Sequence, residues 1–93
     1  MDTELASFQA SVYGRVQGVF FRSYVAECAR GLGLRGYVQN QVDGSVEVRG
    51  EGERQCLERL LDLLKAGPTS ARVVKVDATW SEFTGRYSGF NIA

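Results

Sequence analysis

Hydrophobic and polar residues alternate with a period of two near the start of the chain. Phe8, Ala10 and Val12 alternate with polar neighbours, and this pattern predicts a strand with one covered face. The alternation returns in "RGYVQN" and "VEVRG", which are joined by "VDGS", and its Asp-Gly pair is typical of a hairpin turn. The closing "GFNIA" predicts a short extra strand. Before it, a fourth strand is predicted whose covered side is formed by Val74, Val76, Ala78 and Trp80.

Two segments show helical spacing instead. "SYVAECARGL" places Val25, Cys28, Ala29 and Leu32 on one side of a first helix, and Gly33 stands where a left-handed cap would end it. The second helix is predicted from "ERQCLERLLDLLKAG", with Glu51 and Glu53 toward its start and Gly67-Pro68 as its end. Its apolar stripe consists of Cys56, Leu57, Leu60, Leu61 and Leu64.

The resulting order βαββαβ predicts an α+β ferredoxin-like sandwich, an antiparallel sheet with two helices on one face and a short fifth strand as an optional addition. With 93 residues, the chain has the length of a single domain, 1–93. Right-handed crossovers insert the third strand between the first two, which then run parallel. Their carboxyl ends share one edge, with backbones about 10 Å apart, so Arg22 and Asn40 can face one pocket.

Charge and hydropathy narrow the range of partners. Lys plus Arg and Asp plus Glu are both 11, so no net charge favours nucleic acid or an anionic membrane. No apolar run approaches the roughly 20 residues of a transmembrane helix, and "MDTELASFQ" lacks the features of a signal peptide. We therefore expect a cytoplasmic protein without nucleic-acid or membrane partners. We also expect a monomer, with weak self-association through an exposed edge strand as the alternative.

The chain contains no histidine and two cysteines. Ser-His and Cys-His catalysis and His-ligated zinc sites are excluded. Cys28 and Cys56 do not form a CxxC motif, which disfavours a structural zinc site. The favoured interpretation is that both are small core residues, with a disulfide between them as the alternative.

The stretch "GRVQGVFFR", residues 14–22, departs from the strand pattern. A glycine-punctuated turn from a strand into a helix directs backbone N–H groups and the positive end of the helix dipole at one point, which can hold an anion. Arg22 adds a guanidinium that can bind two oxygens of a tetrahedral anion. Because neither GxxxxGK[ST] nor GxGxxG is present, the pattern alone leaves a tight structural turn as an equal alternative. Taken alone, Asn40 is interpreted first as a turn residue before "QVDG".

"GRVQGVFFR" followed by "GLRGYVQN" resembles the acylphosphatase signature, a GxVQGVxFR loop and then a G-aromatic-V-x-N segment. The likeness spans essentially the whole chain. It implies a small cytosolic enzyme that hydrolyses the carboxyl-phosphate bond of acyl phosphates without a metal or cofactor, with inorganic phosphate as product or inhibitor. By this resemblance Arg22 binds the phosphoryl oxygens and Asn40 orients the attacking water. The rest of the phosphate-binding loop is then formed by the backbone amides of Arg15, Val16, Gln17, Gly18, Val19 and Phe20.

Two features depart from the family pattern: Tyr37 stands where tryptophan is frequent, and the chain ends "FNIA" without an aromatic or basic residue. Neither departure changes the motif positions Arg22 and Asn40 themselves. An RNA-recognition domain of the same fold is disfavoured because the third strand offers no exposed aromatic ring, only Ser45, Glu47 and Arg49. A non-catalytic module that binds phosphate or an acyl phosphate, for example for regulation, is the alternative function.

Overall fold

Strands and helices follow one another in the predicted order in a computed structural model that describes residues 4–93. The elements are β1 (Leu5–Arg15), α1 (Phe21–Gly31), β2 (Arg35–Asn40), β3 (Val46–Glu53), α2 (Arg54–Ala66), β4 (Arg72–Ser81) and β5 (Phe90–Ile92). The short fifth strand is therefore present. No helix within this part of the chain is long and apolar enough to cross a membrane.

The strands form one sheet in the order β4-β1-β3-β2-β5. β3 is antiparallel to both β1 and β2, so β1 and β2 run parallel with β3 between them, as the crossover rule predicts. β5 pairs in parallel with β2, with Gly36 opposite Phe90 and Val38 opposite Ile92. The sheet is thus mixed rather than wholly antiparallel, because after β4 the chain returns to the free edge of β2 on the other side of the sheet.

The core lies between the helices and one face of the sheet. Every second residue of β1 is buried, from Ala6 through Phe8 and Ala10 to Val12. The helices cover this face with Phe21, Val25, Ala26, Ala29, Leu57, Leu60 and Leu64. Full burial of one such leucine or phenylalanine stabilises the fold by about 1.5–3 kcal/mol. The buried residues therefore hold the helices on the sheet and fix the ends of the loops that connect them.

Helix α1 ends as its sequence predicts. Gly33 has a φ of 71°, the left-handed conformation that glycine adopts without steric cost. The Leu34 N–H donates to the Ala29 carbonyl at 2.9 Å and the Gly33 N–H to the Arg30 carbonyl at 3.1 Å, the hydrogen bonds of a Schellman motif. Nearby, Cys28 is a partly buried free thiol, as is Cys56 on α2.

The strands differ from the sequence prediction in two places, β4 and Glu51. Val74 is 73% exposed, while Val73 packs against the core. The cause is a register shift between Tyr13 and Gly14, where β1 steps from Lys75 to Val73 and skips Val74. Ala78 of the edge strand β4 is also exposed, whereas Val76 and Trp80 are packed against the core.

Glu51 is the second difference. It is not an exposed acid at the start of α2 but a buried residue of β3, 1% exposed. Its carboxylate accepts hydrogen bonds from the Thr84 N–H at 3.0 Å, the Thr84 Oγ1 at 2.6 Å and the Gly85 N–H at 2.9 Å. It thereby fixes the segment that leads from β4 to β5. Helical periodicity missed this role because the three partners lie more than 30 residues further along the chain.

Candidate active site

A pocket of about 270 Å³ opens where β1 and β2 end and α1 begins. The topology brings the two strand ends to the same edge of the sheet. Arg22 from α1 and Asn40 from β2 both line the pocket, as expected from two parallel strands that end at the same edge. The other lining residues are Val16, Gly18, Phe20, Phe21, Ser23 and Ile92.

The loop between β1 and α1 depends on unusual backbone conformations. Gly14 has a φ of 130° and Gly18 a φ of 72°. A Cβ at Gly14 would overlap the Arg72 carbonyl oxygen, whereas a Cβ at Gly18 would meet nothing. Gly14 is therefore required for the close approach of β4, and Gly18 only for its positive φ.

The first turn of α1 lies at this pocket, and the helix itself does not satisfy the N–H groups there or neutralise its dipole. No side chain caps the helix through a hydrogen bond, and its first turn contains no acidic residue. The first N–H groups of a helix lack intrahelical partners and carry the positive end of the dipole. This turn therefore offers donors and partial positive charge to an anion.

Side-chain hydrogen bonds hold the loop in place. Gln17 Nε2 donates to the carbonyl oxygens of both Gln41 and Ser45, each at 2.8 Å. Ser70 Oγ donates to the Val19 carbonyl at 2.8 Å. The Val16 side chain anchors the loop from below, since it is only 1% exposed. These three contacts therefore hold the loop in place before any ligand binds.

The six predicted loop residues divide into two groups. Val16, Gly18 and Phe20 line the pocket. Arg15 ends β1, opposite Arg72 of β4, Gln17 braces the loop through its side chain, and Val19 packs against the core. Those last three are absent from the pocket lining.

Arg22 is the one ionisable residue in the pocket lining among residues 4–93. Its Nη1 donates a long hydrogen bond of 3.4 Å to the main-chain oxygen of Ala93. Ile92 of β5 also lines the pocket, so the last strand contributes to the site. Sequence reasoning missed this contribution, since it follows from the pairing of β5 with β2. Ser23 was missed as well, although its hydroxyl in the first turn of α1 is a signal that could have been used.

The turn beyond Asn40 is also rigid. The Gln41 N–H donates to the Ser45 carbonyl at 2.8 Å. Asp43 Oδ1 accepts from Ser45 Oγ at 2.6 Å and from the Ser45 N–H at 2.9 Å. These bonds from the Ser45 side chain and backbone hold the pKa of Asp43 below its usual value. Asn40 therefore extends from a strand end whose continuation is fixed.

The donors around the pocket, a guanidinium, a side-chain amide and backbone N–H groups, suit an anion with several oxygens. Within residues 4–93 no three His, Cys, Asp or Glu side chains gather as a metal site would require. In a comparison with protein families, the model that describes acylphosphatases matches residues 8–92.

The chain belongs to the acylphosphatase family. Acylphosphatase of Deinococcus radiodurans is 53% identical over 76 residues, which cover 82% of this chain and 87% of that protein. Acylphosphatase of Pelotomaculum thermopropionicum is 44% identical over 82 residues, 88% of this chain and 89% of that protein. The resemblance found in the sequence is thereby confirmed.

Solved structures agree with this family. The crystal structure of acylphosphatase from Bacillus subtilis superposes with a TM-score of 0.91 at 33% identity, covering 95% of this chain and 98% of that one. The ferredoxin-like α+β fold is confirmed by this match. As an acylphosphatase, the protein is a hydrolase, in agreement with the function expected from its sequence.

Proposed function

We propose that this acylphosphatase hydrolyses acyl phosphates with Arg22 as the ligand of the phosphoryl oxygens and Asn40 as the residue that orients the attacking water. The observation that supports this best is that both side chains line one pocket beside the uncapped start of α1. The backbone N–H groups of residues 15–20 complete the phosphate-binding loop. No cofactor or metal ion takes part in the proposed reaction.

Binding of the phosphoryl group follows from charge and geometry. The guanidinium of Arg22 presents parallel N–H donors that match two oxygens of a tetrahedral anion. The first N–H groups of α1 and those of the loop add further donors. Since the loop is braced by Gln17 and Ser70, little reorganisation is needed when the anion binds, and preorganised donors stabilise charge most effectively.

The chemical step needs few groups from the protein. Water held by Asn40 attacks phosphorus, the bond from phosphorus to the acyl oxygen breaks, and the bonding electrons leave with the carboxylate. One proton of the water passes to an oxygen of the transferred phosphate. Phosphoryl transfer has a loose transition state with charge spread over the equatorial oxygens, so positioning and electrostatic stabilisation supply most of the catalysis. A carboxylate leaving group requires no general acid.

The proposal includes a cytoplasmic monomer whose partners are an acyl phosphate and, as product or inhibitor, inorganic phosphate. Equal numbers of acidic and basic residues support the absence of a nucleic-acid or membrane partner. The second candidate function is a module that binds phosphate or an acyl phosphate without hydrolysing it. The same pocket favours this function as well, so only a measurement of turnover distinguishes the two candidate functions.

The test is hydrolysis of benzoyl phosphate in EDTA by the wild type, Arg22→Ala and Asn40→Ala. Loss of one transition-state donor typically lowers kcat by about 10²–10³. We expect Arg22→Ala to lose turnover and phosphate inhibition together. Asn40→Ala should lose turnover while its inhibition constant for phosphate stays within about threefold, because the phosphoryl ligands remain.

Arg59→Ala is the matched control, since Arg59 is an exposed arginine of the other helix. Circular dichroism verifies that each variant is folded. A folded wild type that binds phosphate without turnover would contradict hydrolysis and favour the binding module. Phosphate inhibition unchanged in Arg22→Ala would contradict the role given to Arg22, and a strict magnesium requirement would contradict the metal-free reaction.

A further inference from the structure

Phe20 combines two features that are each unfavourable for a phenylalanine. It has φ 62° and ψ 21°, a left-handed conformation, and it is the one residue other than glycine with a positive φ among residues 4–93. It is also 83% exposed, so its ring gains little from the core. Glycine or asparagine would adopt this backbone more readily.

The position of Phe20 indicates a use for its ring. Strained backbone conformations cluster at ligand sites, where the surrounding structure maintains them. Phe20 immediately precedes α1 and lines the pocket that contains Arg22 and Asn40. A residue that lines this pocket and yet stays largely exposed lies at the pocket mouth. A single exposed apolar residue is ordinary, but exposure combined with strain at a pocket mouth is not.

A second apolar side chain lies at the same pocket. Ile92 of β5 is 43% exposed and also lines it. The polar donors that suit a phosphoryl group belong to Arg22, Asn40 and the loop backbone. A bound acyl phosphate therefore directs its acyl group away from these donors and toward the mouth, where Phe20 and Ile92 offer apolar surface.

We propose that Phe20 is a specificity-determining residue that, together with Ile92, contacts the acyl group and favours acyl phosphates with aromatic or branched apolar acyl groups over acetyl phosphate. The inference rests on the proposed function for the orientation of the substrate. One methylene in a hydrophobic pocket changes discrimination by about 10–200-fold. Because this mouth is open to solvent, the structure favours the lower end, about tenfold.

The test compares ratios of affinities, because Phe20 belongs to the phosphate-binding loop and its substitution alters absolute rates. Affinities for the non-hydrolysable analogues benzoylphosphonate and acetylphosphonate are measured by calorimetry for the wild type, Phe20→Asn, Phe20→Tyr and Ile92→Ala. Asparagine tolerates the left-handed backbone, so Phe20→Asn removes the ring at a backbone conformation that the new residue accepts. We expect the preference for benzoylphosphonate to fall about tenfold in Phe20→Asn, to fall less in Ile92→Ala and to persist in Phe20→Tyr.

Hydrolysis of benzoyl phosphate and acetyl phosphate by the same proteins separates this inference from the proposed function. Turnover of both substrates with a preference that Phe20→Asn leaves unchanged would overturn the role of Phe20 and leave the proposed function intact. A preference in binding that depends on Phe20, without turnover, would support the role of Phe20 and overturn hydrolysis. Binding of neither analogue by the wild type, together with no turnover of either substrate, would overturn both.

Discussion

Gln17 and Ser45 are joined by a hydrogen bond of 2.8 Å from the side-chain amide to a backbone carbonyl, although 28 positions separate them in the chain. The same Nε2 donates to the Gln41 carbonyl, also at 2.8 Å. Gln17 belongs to the loop after β1, and Gln41 directly follows Asn40. One side chain therefore connects the two parts of the chain that form the pocket.

Replacement of Gln17 by methionine should lower activity without unfolding the protein. Methionine keeps a similar length but cannot donate, so two carbonyls lose a partner, with a net effect of about 0.5–1.5 kcal/mol per hydrogen bond. A loop displaced from the strand end that carries Asn40 should lower kcat/KM for benzoyl phosphate by about 10–100-fold, since small displacements of catalytic groups are costly. Steady-state kinetics with unfolding in urea provide the measurement.

Gln9→Met is the matched control for this prediction. The Gln9 side chain also donates a hydrogen bond, to Glu47 Oε2 at 3.1 Å, but neither residue lines the pocket of Arg22 and Asn40. Its kcat/KM should stay within about twofold of the wild type. Equal losses in the two variants would indicate a general effect on stability, and wild-type kinetics in Gln17→Met would show that the connection is dispensable.

The sequence pattern predicted those features that depend on short-range spacing. The apolar stripes of the two helices and the Gly33 cap follow from residues within one or two turns of each other. The placement of Arg22 and Asn40 at one pocket follows from the strand order. Gln17 did not stand out in this way, because its two acceptors are backbone carbonyls. Every residue has such a carbonyl, so only the tertiary structure identifies which ones the amide reaches.

Glu51 illustrates a second limit of sequence patterns and leads to a prediction on acid stability. Burial alone raises the pKa of Glu51, but hydrogen bonds from the Thr84 side chain, the Thr84 N–H and the Gly85 N–H together lower it below the usual value. The unfolded state, with a glutamate pKa of about 4.3, then binds more protons than the folded state in the window just below that value. Stability must therefore rise with pH in this window.

Glu51→Gln should remove this pH dependence and weaken the fold at neutral pH. A glutamine NH₂ cannot accept a hydrogen bond from Thr84 or Gly85. At least one of these donors therefore loses its partner, at a cost of about 1–3 kcal/mol. Urea unfolding between pH 3 and pH 7 should show that the free energy of unfolding falls more steeply toward low pH in the wild type than in the variant. Glu58→Gln, at an exposed position of α2, should show the same fall as the wild type. An equally steep fall in the wild type and in Glu51→Gln would exclude Glu51 as the source of the pH dependence.

Gly14→Ala should strongly destabilise the fold. A left-handed φ costs a residue with a Cβ about 1–2 kcal/mol, and the overlap with the Arg72 carbonyl adds about 1–3 kcal/mol of strain. Gly31→Ala is the control, because Gly31 has no positive φ and its added Cβ meets nothing. Alanine should be neutral or stabilise the helix there by up to about 1 kcal/mol. Similar unfolding midpoints for the two variants would contradict the close approach of β4 to Gly14.

The register of β4 gives a prediction that distinguishes the structure from simple alternation. Alternation along the strand puts Val74 on the covered side, whereas the shift opposite Gly14 exposes Val74 and packs Val73 against the core. Val73→Thr should thus lower the free energy of unfolding by about 1 kcal/mol, because a hydroxyl then lies in a partly buried apolar position. Val74→Thr should change it by less than about 0.5 kcal/mol, as at other exposed sites.

Valine and threonine have nearly the same shape and both favour strands, so this pair of substitutions isolates burial from backbone preference. Urea unfolding of both variants measures the difference directly. The result expected from the shifted register is the larger loss at Val73. A larger loss at Val74 would mean that β4 pairs with β1 in unbroken alternation, and the irregularity beside Gly14 would then be absent in solution.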